Sequence, residues 1–356
     1  MKHLPLTIKA LLFHFLFFFI FTLQAQPPTG YYNGTDGLIG TALQSKLHDI
    51  IKNHTSLTYS GLWNAFYTTD DRPDGKVWDM YSDIPSGNPP YLYTFGSNQC
   101  GNYNSEGDCY NREHSWPASW FNDKYPMYTD LFQICPTDGY VNNRRSNYPY
   151  GVVGSTTWSS MNGSKLGSNT YPGYSGTVFE PINAYKGDFA RNYFYMGTRY
   201  LGEDAGWASN GMVTGSQLKT WAANMLLEWH TNDPVSLKET DRNNAVYTFQ
   251  HNRNPYIDHP EFAVRIWGDP TAIPEITRPL MIAYYNNQSQ SIVIGPFEEN
   301  TKAIIMVSDM SGRKINFEST YTSGSININA SSLPNGIYIV SIIDKHFVYG
   351  LKTAKF

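Results

Sequence analysis

Cysteine is scarce: the 356 residues hold three, Cys100, Cys109 and Cys135. No second close pair exists to complete a tetrahedral site, so a structural zinc module is excluded. Charged residues make up only 16% of the chain and the net charge is −4. That excludes a polycation that coats nucleic acid nonspecifically. Beyond the first two dozen residues, no stretch is long and apolar enough to cross a membrane as a helix. Aromatics, by contrast, reach 15%, with 27 tyrosines. This is core-forming material for two modest domains, or one large domain with an appendage, and disorder is excluded.

The first segment, MKHLPLTIKALLFHFLFFFIFTLQAQ, sets Lys2 and Lys9 ahead of an apolar block from Ala10 to Leu23, then Leu23-Gln24-Ala25. It reads as a secretory signal over residues 1–25 and not as an anchor, because the block is short for a span and its far flank is a small-residue cleavage site. Removal leaves an exported chain in which disulfides persist. Cys100 and Cys109 bracket the loop GNYNSEGD, which suits a local bridge and leaves Cys135 buried or free.

Charge is unevenly spread. Residues 26–275 carry 17 basic and 25 acidic groups. Between Arg144 and Arg199, however, Arg144, Arg145, Lys165, Lys186, Arg191 and Arg199 face only Glu180 and Asp188. A basic strip on an acidic body fits a confined polyanion site, and a solvated face is the alternative.

Residues 27–37 read as a loose leader. LIGTALQSKLHDIIKNH has helical apolar spacing, as do GDFARNYFYMGTRYLG, QLKTWAANMLLEWHTND and a segment from about Lys238 to His251. Residues 70–110 predict loops with one or two strands, around KVWDMYS and YLYTF. The texture changes after Pro274 to short β-branched runs divided by turn signals, an all-β module over 286–356 behind a linker at 276–285.

The chemistry-bearing stretch is NREHSWPASWF, residues 111–121. Pro117 cannot donate to a ladder, so a strand ends near it with Glu113 and His114 at its tip. Adjacent strand residues point to opposite faces, so one shared site needs a bend, or a metal through which one of them reaches. A second piece, TDLFQICPTDGYVNNRRSNYPYG at 129–151, reads as a strand from Asp130 to Cys135, a PTDG turn and a helix opened by VNNRRSN. Glu113 and Asn142 offer hard oxygen ligands suited to Mg²⁺ or Ca²⁺. His114 can take a proton from water, and an arginine can neutralise charge on a phosphate. Taken singly, Glu-His is more often structural, and Asn142 or Asn143 can simply cap a helix.

These two motifs, with FEPINAYKGDFARNYFYMGTRY (179–200) and RNNAVYTFQHNRNPYIDHPEF (242–262), resemble the secreted endonuclease I family of ββα-metal, or His-Me finger, nucleases. The resemblance implies an α+β fold over 26–275, a ββα-metal unit within helix-rich packing. It also implies a metal-dependent endonuclease of low sequence preference that cuts DNA, and often RNA, to leave 5′-phosphate ends. By residue, it implies His114 as general base, Glu113 and Asn142 as metal ligands, and Mg²⁺ as the ion, with Ca²⁺ or Mn²⁺ as substitutes. Arg145, in the matching RSN run, corresponds to the phosphate-clamping arginine, with Arg112 as its rival. Where the family commonly has His-Asn this chain has Phe132-Gln133, so Gln133 stands in for a group that orients the base or its water. Arg112, Arg144, Lys186 and Arg191 are expected to bind substrate. Asp188 can instead cap its helix and pair Arg191, and Asp258 with His259 reads as a structural brace.

The tail, with its SGR turn, LPNGIYIVSI strand and terminal KTAKF, resembles the C-terminal sorting domain of proteins exported by the type IX system of Bacteroidetes. That implies a small β-sandwich addressed to the type IX secretion machinery, and a secreted or surface-attached monomer. Two rival functions fit the residues as well: a non-enzymatic binder of nucleic acid or glycan, and a phosphodiesterase on another substrate.

Overall fold

The computed structural model describes residues 27–85, 87–268, 281–297, 304–310, 313–322, 324–343 and 348–355. The expected signal at 1–25 and the first half of the expected linker at 276–285 lie outside them. The chain divides into two compact units, Met1–Ala272 and Ile273–Phe356.

In the first unit, helix α1 (Gly40–Ile51) buries Leu43, Leu47 and Ile51, one per turn on a single stripe. Helix α2 (Leu62–Thr69) buries Leu62, Ala65 and Phe66. The expected strands around KVWDMYS and YLYTF do not form; a single bridge joins Asp71 to Val77. Their backbone groups are met by turns and by buried carboxylates such as Asp79, which accepts from the amides of Tyr81 and Asp138. The 27–37 leader is pinned, since Tyr32 donates to Asp258 (2.6 Å) and Arg265 donates to the Thr35 and Leu38 carbonyls.

Strand β1 (Tyr110–His114) pairs antiparallel with β2 (Ile134–Asp138), placing His114 opposite Ile134 and Glu113 opposite Cys135. The expected strand from Asp130 to Cys135 is thus shifted: Asp130–Gln133 is a turn and PTD is strand. The cause is local, because the Asp138 side chain caps the next helix by accepting from the Val141 amide (2.8 Å). Helix α3 (Gly139–Arg145) starts at once, which completes a ββα unit. Gly139 is required there, for a Cβ would lie 2.7 Å from the Tyr103 ring.

A three-stranded antiparallel sheet follows, β3 (Val153–Ser159), β4 (Lys165–Asn169) and β5 (Thr177–Glu180) in that order. Helix α4 (Lys186–Arg199) is buried on nearly every face and forms the centre of the unit. A short hairpin, β6 (Val213–Thr214) and β7 (Gln217–Leu218), precedes α5 (Thr220–Asn232), which packs on α4 through Trp221, Met225 and Trp229. Helix α6 (Leu237–Gln250) opens on a reciprocal capping box between Ser236 and Glu239. Short helices α7 (Pro255–Asp258) and α8 (Glu261–Trp267) end the unit, with Asp258 in a two-oxygen pair with Arg253.

The described residues of the second unit hold eight strands. One sheet has β8 (Ile282–Asn286), β9 (Ser291–Gly295), β12 (Ser319–Thr322) and β13 (Ser325–Asn329), in the order β12-β13-β9-β8. The other has β10 (Ile304–Asp309), β11 (Lys314–Ile315), β14 (Gly336–Ile343) and β15 (Val348–Lys355), in the order β11-β10-β14-β15. Ile292, Ile294, Val307, Ile328, Val340 and Ile342 form its separate core, as alternating inward residues of a sandwich do.

Candidate active site

Strand β1 keeps its alternation to the tip. Glu113 is buried on one face, where its Oε1 accepts from the Tyr81 hydroxyl (2.8 Å) and from Arg145 Nη1 (3.1 Å). Its Oε2 accepts no hydrogen bond from the described residues. Burial pushes the Glu113 carboxyl up to about 7, with Arg145 and the Tyr81 hydroxyl opposing that rise. Two residues earlier on the same face, the Asn111 Oδ1 accepts from the Asn142 amide nitrogen (2.8 Å), leaving the Asn142 carbonyl oxygen outside that bond.

His114 lies on the opposite face. Its Nε2 sits 3.1 Å from the Tyr128 carbonyl. A carbonyl only accepts, so Nε2 carries the hydrogen and Nδ1 is left as the acceptor. Burial, reinforced by Arg112 and Arg145, pulls the imidazole down to about 4, against the pull of that carbonyl. The ring is therefore neutral at pH 7. Gln133, fully buried, donates from Nε2 to the Met127 carbonyl (2.8 Å) and so braces the turn that carries the Tyr128 carbonyl. Gln133 is a positioning residue here and touches no space where substrate could sit.

Arg112 shares the His114 face. Its guanidinium lies 3.5 Å from the Tyr59 ring centroid and 4.3 Å from that of Trp63, and it donates to the Tyr59 carbonyl. Arg145 is different. It is 1% exposed and spends its donors on Glu113, the His114 and Ser115 carbonyls and the Tyr193 hydroxyl. The expectation that it meets the phosphate is corrected by that burial: it holds the strand tip and the Glu113 carboxylate from beneath.

The basic strip is corrected in the same way. Arg191 is fully buried against Glu239, His230 and the Asp233 carbonyl. Arg199 is paired with Glu203 and donates to His54, and Lys186 is held by Glu180 (2.6 Å) and Asn183. Asp188 pairs with Lys238 at 2.6 Å more closely than with Arg191 at 3.9 Å. Of the six cations, only Arg144 and Lys165 are exposed and form no carboxylate pair among the described residues. Arg144 rests on Tyr140 and Trp158. Cys100 and Cys109 are joined by a disulfide, and Cys135 is a buried free thiol.

Three partners went unread in the sequence. Asn111 had a signal, lying two residues before Glu113 on the same strand face. Tyr81 and the Tyr128 carbonyl had none, because both come from irregular segments folded back onto the strand.

No cluster of three or more His, Cys, Asp and Glu side chains occurs among the described residues. Glu113 Oε2 and the Asn142 carbonyl are hard oxygens with capacity to spare, which fits a hydrated Mg²⁺-like cation and not a protein-caged ion. A buried carboxyl and a neutral histidine on opposite faces of the first strand of a ββα unit suit a phosphodiester hydrolase. The sequence profile of the Endonuclease I family matches residues 39–261, and the chain belongs to that family. A secretion system C-terminal sorting domain profile matches 285–352. The Extracellular ribonuclease of Bacillus subtilis is 38% identical over 245 residues, 67% of this chain and 78% of that protein. Its Bacillus amyloliquefaciens counterpart is 39% identical over the same shares. An Endonuclease-1 from Buchnera aphidicola subsp. Baizongia pistaciae is 28% identical over 129 residues, 36% of this chain and 46% of the other. The protein is thus a secreted or surface-held nuclease whose tail addresses it to the secretion machinery.

Proposed function

We propose that this enzyme is a divalent-metal endonuclease that hydrolyses phosphodiester bonds in both DNA and RNA with little sequence preference. The observation that carries the reading is the mount of His114, whose Nε2 is committed to the Tyr128 carbonyl while Nδ1 stays an unprotonated acceptor at neutral pH. Nδ1 takes a proton from water, the water oxygen bonds to phosphorus, and the bond from phosphorus to the 3′-oxygen breaks as that oxygen takes a proton from a second water. The products are a 5′-phosphate and a 3′-hydroxyl. A cation held by Glu113 and Asn142 would supply charge stabilisation to the phosphate and the departing 3′-oxygen. Arg112, two residues from His114 on the same strand face, is our candidate to meet a phosphate oxygen, with exposed Arg144 to extend the contact along the strand. The expected dependence on Mg²⁺, with Ca²⁺ or Mn²⁺ as substitutes, and action as a monomer belong to the same reading.

The test is incubation of purified protein with supercoiled plasmid and with total RNA, with Mg²⁺ and then EDTA. Both substrates should be cut, and chelation should stop it. Intact substrates in Mg²⁺ would refute the reading, and undiminished cutting by His114→Ala would refute the role of the base, whose loss should cost about 10²–10⁴-fold.

A further inference from the structure

The rings around His114 are arranged unequally. Tyr128 lies 4.8 Å from the His114 ring and 4.5 Å from the Tyr59 ring, nearly parallel to both. His114 and Tyr59 are themselves only 6.3 Å apart, at 14°. That separation is too short for Tyr128 to stand between them, so Tyr128 covers both from one side. Tyr59 is occupied further by the Arg112 guanidinium. Tyr125 meets Tyr128 edge-on at 5.6 Å and is 54% exposed, one of the most exposed large side chains of the first unit. A ring at that exposure, which touches Tyr128 and not His114 itself, gains little from packing. It gains more from a planar guest.

We propose that Tyr125 and Tyr128 form a nucleobase subsite against His114, so that the enzyme acts preferentially on unpaired strands. The inference rests on the nuclease reading and names its substrate class. A base can lie on this pair only after leaving its own stack. In a duplex that exit must break pairing as well as stacking, while in a single strand it costs little. Stacking on an aromatic side chain tolerates every base, consistent with cutting at many sequences. Arg112, fixed over Tyr59, sets a cation beside the same platform for the adjoining phosphate.

The experiment is fluorescence anisotropy with a labelled single-stranded oligonucleotide and its duplex, in EDTA so that binding is read without cutting, alongside cleavage of both in Mg²⁺. Wild type should bind the single strand more tightly than the duplex. Tyr125→Ala should weaken single-strand binding about 5- to 100-fold and leave duplex binding unchanged, whereas Tyr125→Phe should restore it. Tyr284→Ala, an equally exposed tyrosine of the tail unit, serves as the control and should bind as wild type. Equal binding of single strand by wild type and Tyr125→Ala would overturn the proposal while leaving the nuclease reading intact. Tyrosine-dependent binding without any cleavage in Mg²⁺ would instead sink the nuclease reading and keep the subsite.

Discussion

Replacing Arg145 by alanine separates a buried brace from a phosphate contact. The guanidinium is the cation facing the buried Glu113 carboxylate, and it also satisfies two carbonyls and a hydroxyl at the strand tip. Its removal leaves an uncompensated buried charge, which typically costs about 3–5 kcal/mol. For a unit of this size each kcal/mol moves the melting temperature by about 2–4 °C, so a drop of about 6–20 °C is expected. Glu113 would also lose the opposing charge and ionise less readily, so cutting should fall even where the variant is folded. Arg112→Ala provides the contrast: its guanidinium is half-buried between two rings with no carboxylate partner, so it should melt within a few degrees of wild type and lose cleavage. The assays are calorimetry and plasmid cleavage at a temperature where both variants are folded. If Arg145→Ala melts as wild type does and only its KM for nucleic acid rises, the burial argument is wrong and Arg145 meets the substrate.

Gln133→Leu should remove one of the two hydrogen bonds to the Met127 carbonyl, which keeps the Asp130 amide, destabilise the unit by about 0.5–1.5 kcal/mol, and lower kcat with KM unmoved; an unchanged kcat would remove Gln133 from the mounting of His114. His230 is buried beside Arg191, and burial, then that charge, pulls its imidazole down to about 4. The unfolded chain takes up this proton first, so stability should decline as pH falls below about 6.5 and level off below about 4, by an amount on the order of 3 kcal/mol. Urea midpoints from pH 7 to 4 check this, and a His230→Gln variant with an equally steep acid decline would refute the assignment.

The parts of the molecule legible in the sequence are those in which one residue type does one local job. The helices of the core announced themselves by apolar spacing, and the tail by β-branched runs between turns, because burial of one face dictates both patterns. Glu113, His114 and Asn142 were legible as candidates, and the ββα unit carries all three. The strand register was not, because Asp138 caps a helix through its side chain, and the string PTDG reads equally well as a hairpin turn. Arginines were the worst guide. A guanidinium in the core and one on the surface look alike in a string, and what separates Arg145 and Arg191 from Arg144 is the carboxylate each finds far along the chain. The loop-rich front half hid Tyr81 and Tyr128 for the same reason: irregular segments carry no period from which a contact could be projected.

The opposition of Glu113 and His114 on β1 then becomes informative. Neither side chain bends toward the other, so two separate supports hold them. On one face Tyr81 and Arg145 hold one oxygen of the buried carboxylate, and Tyr193 holds the Ser115 carbonyl beside them. On the other, a backbone carbonyl and an aromatic cover fix the imidazole in one tautomer. Past them the chain turns away at Ser115 and Trp116. There the wall of Trp116, Trp120 and Phe121 is buried and Trp116 packs on Tyr193 and Trp207, so the tip cannot give way when a charged polymer presses on it. The aromatic run after Glu-His is the buried support of that tip, and in the proposed mechanism the acid and base keep their opposed faces because what they share is the phosphate and not each other.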